Sequence, residues 1–352
     1  MKKIIVQILL FYVAIGTAQD RIKAEQIVAE GIVFHDNRDY TNALLKYDEA
    51  LKVDKDNLLA LTEKGMTLFY SGEFEKVVEV SKITLEKHSK DKKLNLQNVY
   101  ANYANALDKL GKSKEALQIY DKGLKEFPEY YQLDFNKGIT LINNPKTLEE
   151  GLTSFQNALK KNPNHASSHN ALGRLMLQQN KRIPAILALC RFLSIEPESK
   201  RGRENLAFLK SVIRKNVEVT GENEINITVD SNQLSDGKGK VKENDFSTSD
   251  LILSMDTALD HDDSNKNKSE VENFARKLET LIETFKESKK HKGFYWDYYV
   301  PYFIEMSNKK YIETFANIVY GSSDKNATAY LIDHKKEVRD FNDWSKNFQW
   351  NK

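Results

Sequence analysis

The chain has 352 residues, 40% hydrophobic and 30% charged, which is enough apolar material for a buried core and too much chain for one compact unit. Its 53 basic and 51 acidic residues leave a net charge of +2, and their interspersion gives no basis for nucleic-acid binding. A single cysteine, Cys190, excludes an internal disulfide; among Leu187, Leu189 and Phe192 it reads as an inert buried thiol.

The N-terminus opens on Met1-Lys2-Lys3. An apolar run from Ile4 to Ile15 follows, broken by Gln7 and Tyr12, and then the small residues Gly16-Thr17-Ala18. This is the layout of a secretory signal peptide with cleavage near Ala18. The run is short for a bilayer span, and no cysteine follows it to carry a lipid. Loss of Lys2 and Lys3 brings the net charge from +2 to 0. These residues predict an exported protein, periplasmic or secreted.

Five small residues then recur at a near-constant interval: Gly31, Gly65, Ala104, Gly138 and Gly173, spaced 34, 39, 34 and 35 apart. A period in the thirties is the mark of stacked helical hairpins. A second small or slim residue follows in each unit (Ala43, Val77, Ala116, Gly151, Ala185). A larger group comes four further on (Tyr47, Ser81, Tyr120, Phe155, Leu189), and Ala50, Thr84, Gly123, Ala158 and Phe192 three beyond that. Two helices cross closely only where side chains are small, and the larger residue fills the gap between hairpins. Pro128, Pro163 and Pro197 stop the second helix of the last three units.

This pattern resembles the tetratricopeptide repeat over about residues 24–199. The family's usual tryptophan is absent: Ile27, Leu61, Tyr100, Asp134 and His169 stand in its place. Unit two (58–91) is degenerate, carrying Val77, Ser81 and Thr84 at the diagnostic places. The resemblance implies an all-α solenoid of five hairpins whose first helices line a concave surface. On this sequence that surface presents Asn98, Ala101, Asn102, Asn105, Asp108 and Lys109 in unit three. Unit four presents Gln132, Phe135, Asn136, Ile139, Ile142 and Asn143, and unit five Ser167, Asn170, Ala171, Arg174, Leu177 and Gln178. Side-chain amides both donate and accept, so a strip of Asn98, Asn102, Asn105, Asp108, Phe135, Asn136, Asn170 and Arg174 suits the backbone of an extended protein segment. The lysines of the family's clamp for a terminal carboxylate are missing.

Residues 200–215 continue helically, with Leu206, Leu209 and Ile213 on one face, as a capping helix should; a basic helix gripping an anionic membrane is the sharper alternative. Residues 216–268 read as a linker. Val217, Val219, Ile225, Ile227 and Val229 suggest a short extended segment, Ser231–Asp245 is polar, and Asp250–Leu259 is a short apolar run. Residues 269–352 read as a small aromatic-rich helical domain. Its first helix carries Val271, Phe274, Ala275, Leu278, Leu281, Ile282 and Phe285 on one face and ends at Lys289-Lys290-His291-Lys292-Gly293. Further helices are predicted over 307–320 and 335–349. Phe294, Tyr295, Trp296, Tyr298, Tyr299, Tyr302 and Phe303 read as core, with a ligand groove as the alternative.

No nucleophile elbow, phosphate loop, dinucleotide fingerprint or paired-cysteine zinc motif is present. His165 and His169 lack a third ligand at zinc spacing. Asp54-Lys55-Asp56-Asn57 lacks the glycine and closing glutamate of a calcium loop and reads as a turn between hairpins. Asp260, Asp262 and Asp263 read as a solvated loop. The sequence therefore predicts a non-catalytic scaffold of the bacterial envelope with no cofactor and no metal, whose partner is another protein. The alternatives are a ligand-binding, sugar-binding or enzymatic role for the aromatic region, and a peripheral membrane assembly factor.

Overall fold

The computed structural model describes residues 2–91, 93–221, 224–229, 242–288 and 291–351, with side chains from Ala18 onward. It divides into two units, residues 1–154 and 155–352, the boundary falling inside a helix. Most of the polar stretch Ser231–Asp245, together with Lys289 and Lys290, lies outside the described residues.

The first unit is a run of antiparallel hairpins. Helices α1 (Lys2–Asp36) and α2 (Tyr40–Val53) form the first, α3 (Leu58–Tyr70) and α4 (Phe74–His88) the second, and α5 (Gln97–Lys109) and α6 (Ser113–Glu126) the third. Helix α7 (Tyr131–Ile142) pairs with the start of α8 (Leu148–Lys161) across a 3-10 turn at Pro145–Thr147. The predicted leader forms the beginning of α1. No helix among the described residues is long and apolar enough to cross a membrane.

The turn inside each of the first three hairpins is built the same way. One residue takes positive φ (Arg38 at 62°, Gly72 at 83°, Gly111 at 75°). The amide after it reaches back to the preceding helix: Asp39 to Phe34, Glu73 to Leu68 and Lys112 to Leu107, each at 2.9 Å. These bonds satisfy carbonyls that the helix end would otherwise orphan. Between the first two hairpins a side chain serves the opposite end, the amides that open the next helix. Asn57, in the segment that resembled a calcium loop, accepts from the Ala60 amide at 3.0 Å and caps α3.

The crossing points explain Gly31, Gly151 and Gly173 but not Gly65. A Cβ on Gly31 would lie 2.5 Å from the Tyr47 ring, and one on Gly151 2.6 Å from Ile142. At Gly65 the nearest atom would be Val80 at 4.0 Å, an ordinary contact. The reason lies sixteen positions on, where repeat two has buried Ser81 in place of Tyr47 or Tyr120. With no ring to admit, its crossing does not need a glycine.

In the second unit α9 (Ala166–Gln178) and α10 (Arg182–Ile195) form the last hairpin, followed by α11 (Lys200–Arg214). Leu206, Leu209 and Ile213 are buried, as expected of a cap. Strands β1 (Val217–Gly221) and β2 (Glu224–Ile227) pair antiparallel, Val217 opposite Ile227 and Val219 opposite Ile225. Helices α12 (Ser247–Ala258), α13 (Glu270–Glu287), α14 (Val300–Asn308), α15 (Ile312–Tyr320), α16 (Lys325–Asp333) and α17 (Lys335–Asn347) complete it, with a π-helical turn at Tyr295–Tyr299 before α14. Helix α10 is buried on every side from Arg182 to Leu193, and α9, α11, α12, α15 and the π turn all pack on it. A helix that is apolar all round must be covered all round.

Three expectations are corrected here. Residues 216–268 include the hairpin and α12, whose Leu253, Ser254 and Thr257 are buried in the unit, rather than forming only a linker. The helix predicted over 307–320 begins at Ile312, because Lys310 takes φ 60° and breaks the chain after α14. Gly293 does not cap α13, which stops at Glu287. It sits at φ 108° where a Cβ would lie 2.6 Å from Asn244, and Asn244 accepts the Tyr295 amide at 2.9 Å.

The aromatic run is core. Tyr298, Tyr299, Tyr302 and Phe303 are 0–1% exposed, and Trp350 stacks on Tyr298 and Tyr302 at 4.6 and 5.0 Å. Two arginines are buried with them. Arg182 holds the end of α11 through Val212 O (2.8 Å) and Ile213 O (2.5 Å), and α12 through Asp250 Oδ1 (2.9 Å) and Ser254 Oγ (2.7 Å). Arg191 donates to Asn164 Oδ1 (2.6 Å), Ser194 Oγ (2.9 Å) and Ser345 Oγ (2.7 Å). Its Cζ lies 5.1 Å from the Tyr302 ring and 5.2 Å from Trp350. No carboxylate among the described residues pairs with it, so neutral oxygens and ring faces carry the charge.

Candidate functional site

The amide strip of the first unit lies on α5 and α7. Asn98, Asn102, Asn105 and Asp108 recur every three or four residues and so share one face of α5. Along this unit α1 touches α3, α3 touches α5 and α5 touches α7, so the first helices form a continuous row. Asn102, Asn105, Phe135 and Asn136 are half-buried and Asn98 is exposed.

Two tyrosines fix two of these amides. Tyr130 Oη donates to Asn98 Oδ1 at 2.6 Å, and Tyr120 Oη donates to Asn105 Oδ1 at 2.5 Å. Burial pushes Tyr130 up to about 12 and Tyr120 further in the same direction, so both phenols keep their protons. A phenol that gives its proton to the amide oxygen leaves the NH2 end as the available group. Asn102 and Asn136 make no side-chain hydrogen bond with the described residues. Asp108 Oδ1 is occupied, accepting from Ser113 Oγ at 2.7 Å. The sequence reading took Tyr120 as a gap filler and missed its hydroxyl. The signal was the choice of Tyr where repeat four has Phe155.

The second unit carries the other two candidates, on α9. The Asn170 Oδ1 is buried and has no hydrogen-bond partner among the described residues. The Arg174 guanidinium lies 4.4 Å over the ring of Phe208 on α11, and Ser167 Oγ accepts from Arg201 of the same helix at 3.0 Å. The capping helix thus occupies part of the surface that α9 would offer. His169, beside Asn170, is fully enclosed. Its Nε2 faces Pro163 O (2.9 Å), which only accepts, so the proton sits on Nε2 and Nδ1 accepts from Tyr299 Oη (2.7 Å). Both ring nitrogens are therefore used within the protein.

No family model matches the chain. It is similar, at 23% identity over 190 residues, to the heat shock protein STI1 of Saccharomyces cerevisiae; the match takes in 53% of this chain and 30% of STI1, so the chain spans under a third of that relative. Among solved structures it is similar to YrrB, a TPR protein with an unusual peptide-binding site, at 18% identity over 51% of this chain and 89% of that one, with a TM-score of 0.38. It is also similar to TTC0263, a thermophilic TPR protein of Thermus thermophilus (17% identity, 54% and 98%, TM-score 0.44), and to PilF of Pseudomonas aeruginosa (17% identity, 57% and 93%, TM-score 0.44). The fold of the repeats, a run of antiparallel helical hairpins, is tetratricopeptide-like. The likenesses concern fold alone. What the tetratricopeptide-like hairpins offer a ligand has to be read from their own side chains.

Proposed function

We propose that this is a non-catalytic scaffold whose first helices hold an extended segment of another protein. The observation that carries the reading is the pair of tyrosine-fixed amides, Asn98 and Asn105, flanked by the unengaged amides of Asn102 and Asn136. An extended backbone offers a carbonyl and an amide at every residue, and a row of oriented NH2 groups suits its carbonyls. Pre-setting Asn98 and Asn105 lowers the ordering cost of binding. The half-buried Phe135 gives the row an apolar contact for a side chain. The leader-like residues 1–18 support a place in the bacterial envelope after cleavage near Ala18. The buried state of Tyr298, Tyr299 and Tyr302 argues against the alternative in which these rings grip a ligand.

The test uses peptides selected from a random display library on the full chain. The double substitution Asn102→Ala and Asn136→Ala removes two amides that support no internal bond, so helicity and melting temperature should hold while peptide affinity falls at least tenfold, about 1.4 kcal/mol. Equal affinity in the double variant would overturn the proposal.

A further inference from the structure

A cavity of about 410 Å³ lies in the second unit where α11, β1, the 3-10 turn after α12, α13 and α15 meet. Its volume falls within the roughly 300–1,000 Å³ of small-molecule sites. Ile213, Val217 and Phe274 supply apolar wall.

Its charges are unbalanced. Lys210, Arg214, Lys268 and Lys277 line it against the two carboxylates Asp260 and Glu270. Both carboxylates are already taken up. Glu270 accepts from Lys210 (2.5 Å) and Arg214 (3.0 Å), and Asp260 from Lys277 (2.5 Å) and from Arg276 (2.6 Å). The Lys268 ammonium has no partner among the described residues.

Two largely buried side chains face it with spare hydrogen-bonding capacity. Lys277 is 6% exposed and spends one of its three N–H groups on Asp260; the other two have no partner among the described residues. Tyr320 is 4% exposed, lines the cavity, and its hydroxyl makes no hydrogen bond with the described residues. Spare donors on side chains that line one cavity, beside an excess of cations, suit an acceptor inside it.

We infer that this cavity binds a small organic anion, a carboxylate or phosphate ester with a compact apolar body. Its charged end takes the free N–H groups of Lys277, the Lys268 ammonium and the Tyr320 hydroxyl. Its apolar part rests on Ile213, Val217 and Phe274. The site is separate from the amide strip and independent of what that strip holds.

Calorimetric titration of the full chain tests this with four probes: benzoate, phenyl phosphate, inorganic phosphate and uncharged benzyl alcohol. Benzoate or phenyl phosphate should bind, and which of them binds more tightly identifies the anion as carboxylate or phosphate. Tyr320→Phe keeps the ring and Lys268→Ala alters an exposed side chain; each should weaken the bound probe about tenfold, the loss expected for one charge-assisted hydrogen bond, with the melting temperature of the unliganded protein unchanged. The inference is overturned if benzyl alcohol matches benzoate, if inorganic phosphate matches phenyl phosphate, if both variants bind like the parent, or if no organic anion binds, which would make the cavity a solvent pocket.

Discussion

The first unit keeps its cations at the surface, whereas the second buries three of them. In the hairpins, Lys46 with Glu30, Lys64 with Asp48, and Lys137 with Asp121 pair at 2.5–2.7 Å with side chains a quarter to three-fifths exposed. Such pairs contribute about 0–1 kcal/mol each, so the seam of Gly31 on Tyr47 and Ala104 beside Tyr120 does most of the work. The second unit sets Arg182, Arg191 and Lys277 inside its packing. A repeated crossing specifies itself, because each hairpin presents the next with the same surface. Elements that occur once have no such template, and directional bonds from a buried guanidinium define which ends meet.

The two buried arginines set the units furthest apart. Arg182→Met strands Asp250, 5% exposed, without its cation, and should cost about 3–5 kcal/mol in denaturant unfolding. Adding Asp250→Asn should recover part of that. Arg191→Met strands only neutral oxygens and should cost less, about 1–3 kcal/mol. A Lys64→Ala change in the first unit should stay within about 1 kcal/mol. Were Arg191 the costlier of the two arginines, the distinction between stranding a charge and stranding a dipole would fail here.

That asymmetry also decides what could be read in advance. The hairpins were legible because their constraint is local and periodic: Gly31, Ala104 and Gly173 answer Tyr47, Tyr120 and Leu189 at a fixed sixteen positions, and Pro128, Pro163 and Pro197 punctuate them. The face of α5 followed from the same phase. What was missed lacks a period. Lys310 and Arg38 adopt positive φ without being glycine, so nothing announced those turns. The attachment of β1, β2 and α12 to the last hairpin depends on Arg182 reaching Asp250, 68 positions away. One sign of it was visible: Ile183 to Leu193 has no solvent face, unlike α6 with its Lys114, Gln118, Asp121 and Lys125, and an apolar helix of that kind demands cover from elsewhere in the chain.

Within the first unit, Gly31 and Gly65 stand in different surroundings. Gly31→Ala places a methyl where Tyr47 already stands, and overpacking of this kind should cost about 1–3 kcal/mol. Gly65→Ala meets nothing closer than 4.0 Å. There the gain in helix propensity should prevail, raising stability by about 0.5–1 kcal/mol. Paired thermal melts of the two variants decide it. Equal losses would mean that repeat two is packed as tightly as repeat one despite Ser81.

The two units also differ in how they answer acid. In the second unit His165 and His169 are held neutral, chiefly by burial, with His165 drawn down to about 4 and His169 also well below its ordinary value. The unfolded chain protonates both near pH 6.5, while the folded unit does not. Their contribution is therefore complete above pH 6.5 and is lost as the pH falls toward the folded values. In the first unit Glu63 shifts the opposite way: burial raises its carboxyl, so acid favours its folded state near pH 4.5. Between pH 6.5 and 5 the second unit should accordingly loosen first. After allowance for the partial exposure of His165, that residue alone should account for about 1–2 kcal/mol. Amide hydrogen exchange read separately for α3 and for α10 at pH 7 and pH 5 measures the difference. Lower protection in α10, taken relative to the intrinsic exchange rate at each pH, with α3 unchanged is the expected result, and a parallel loss in both helices would place the acid sensitivity outside the buried histidines.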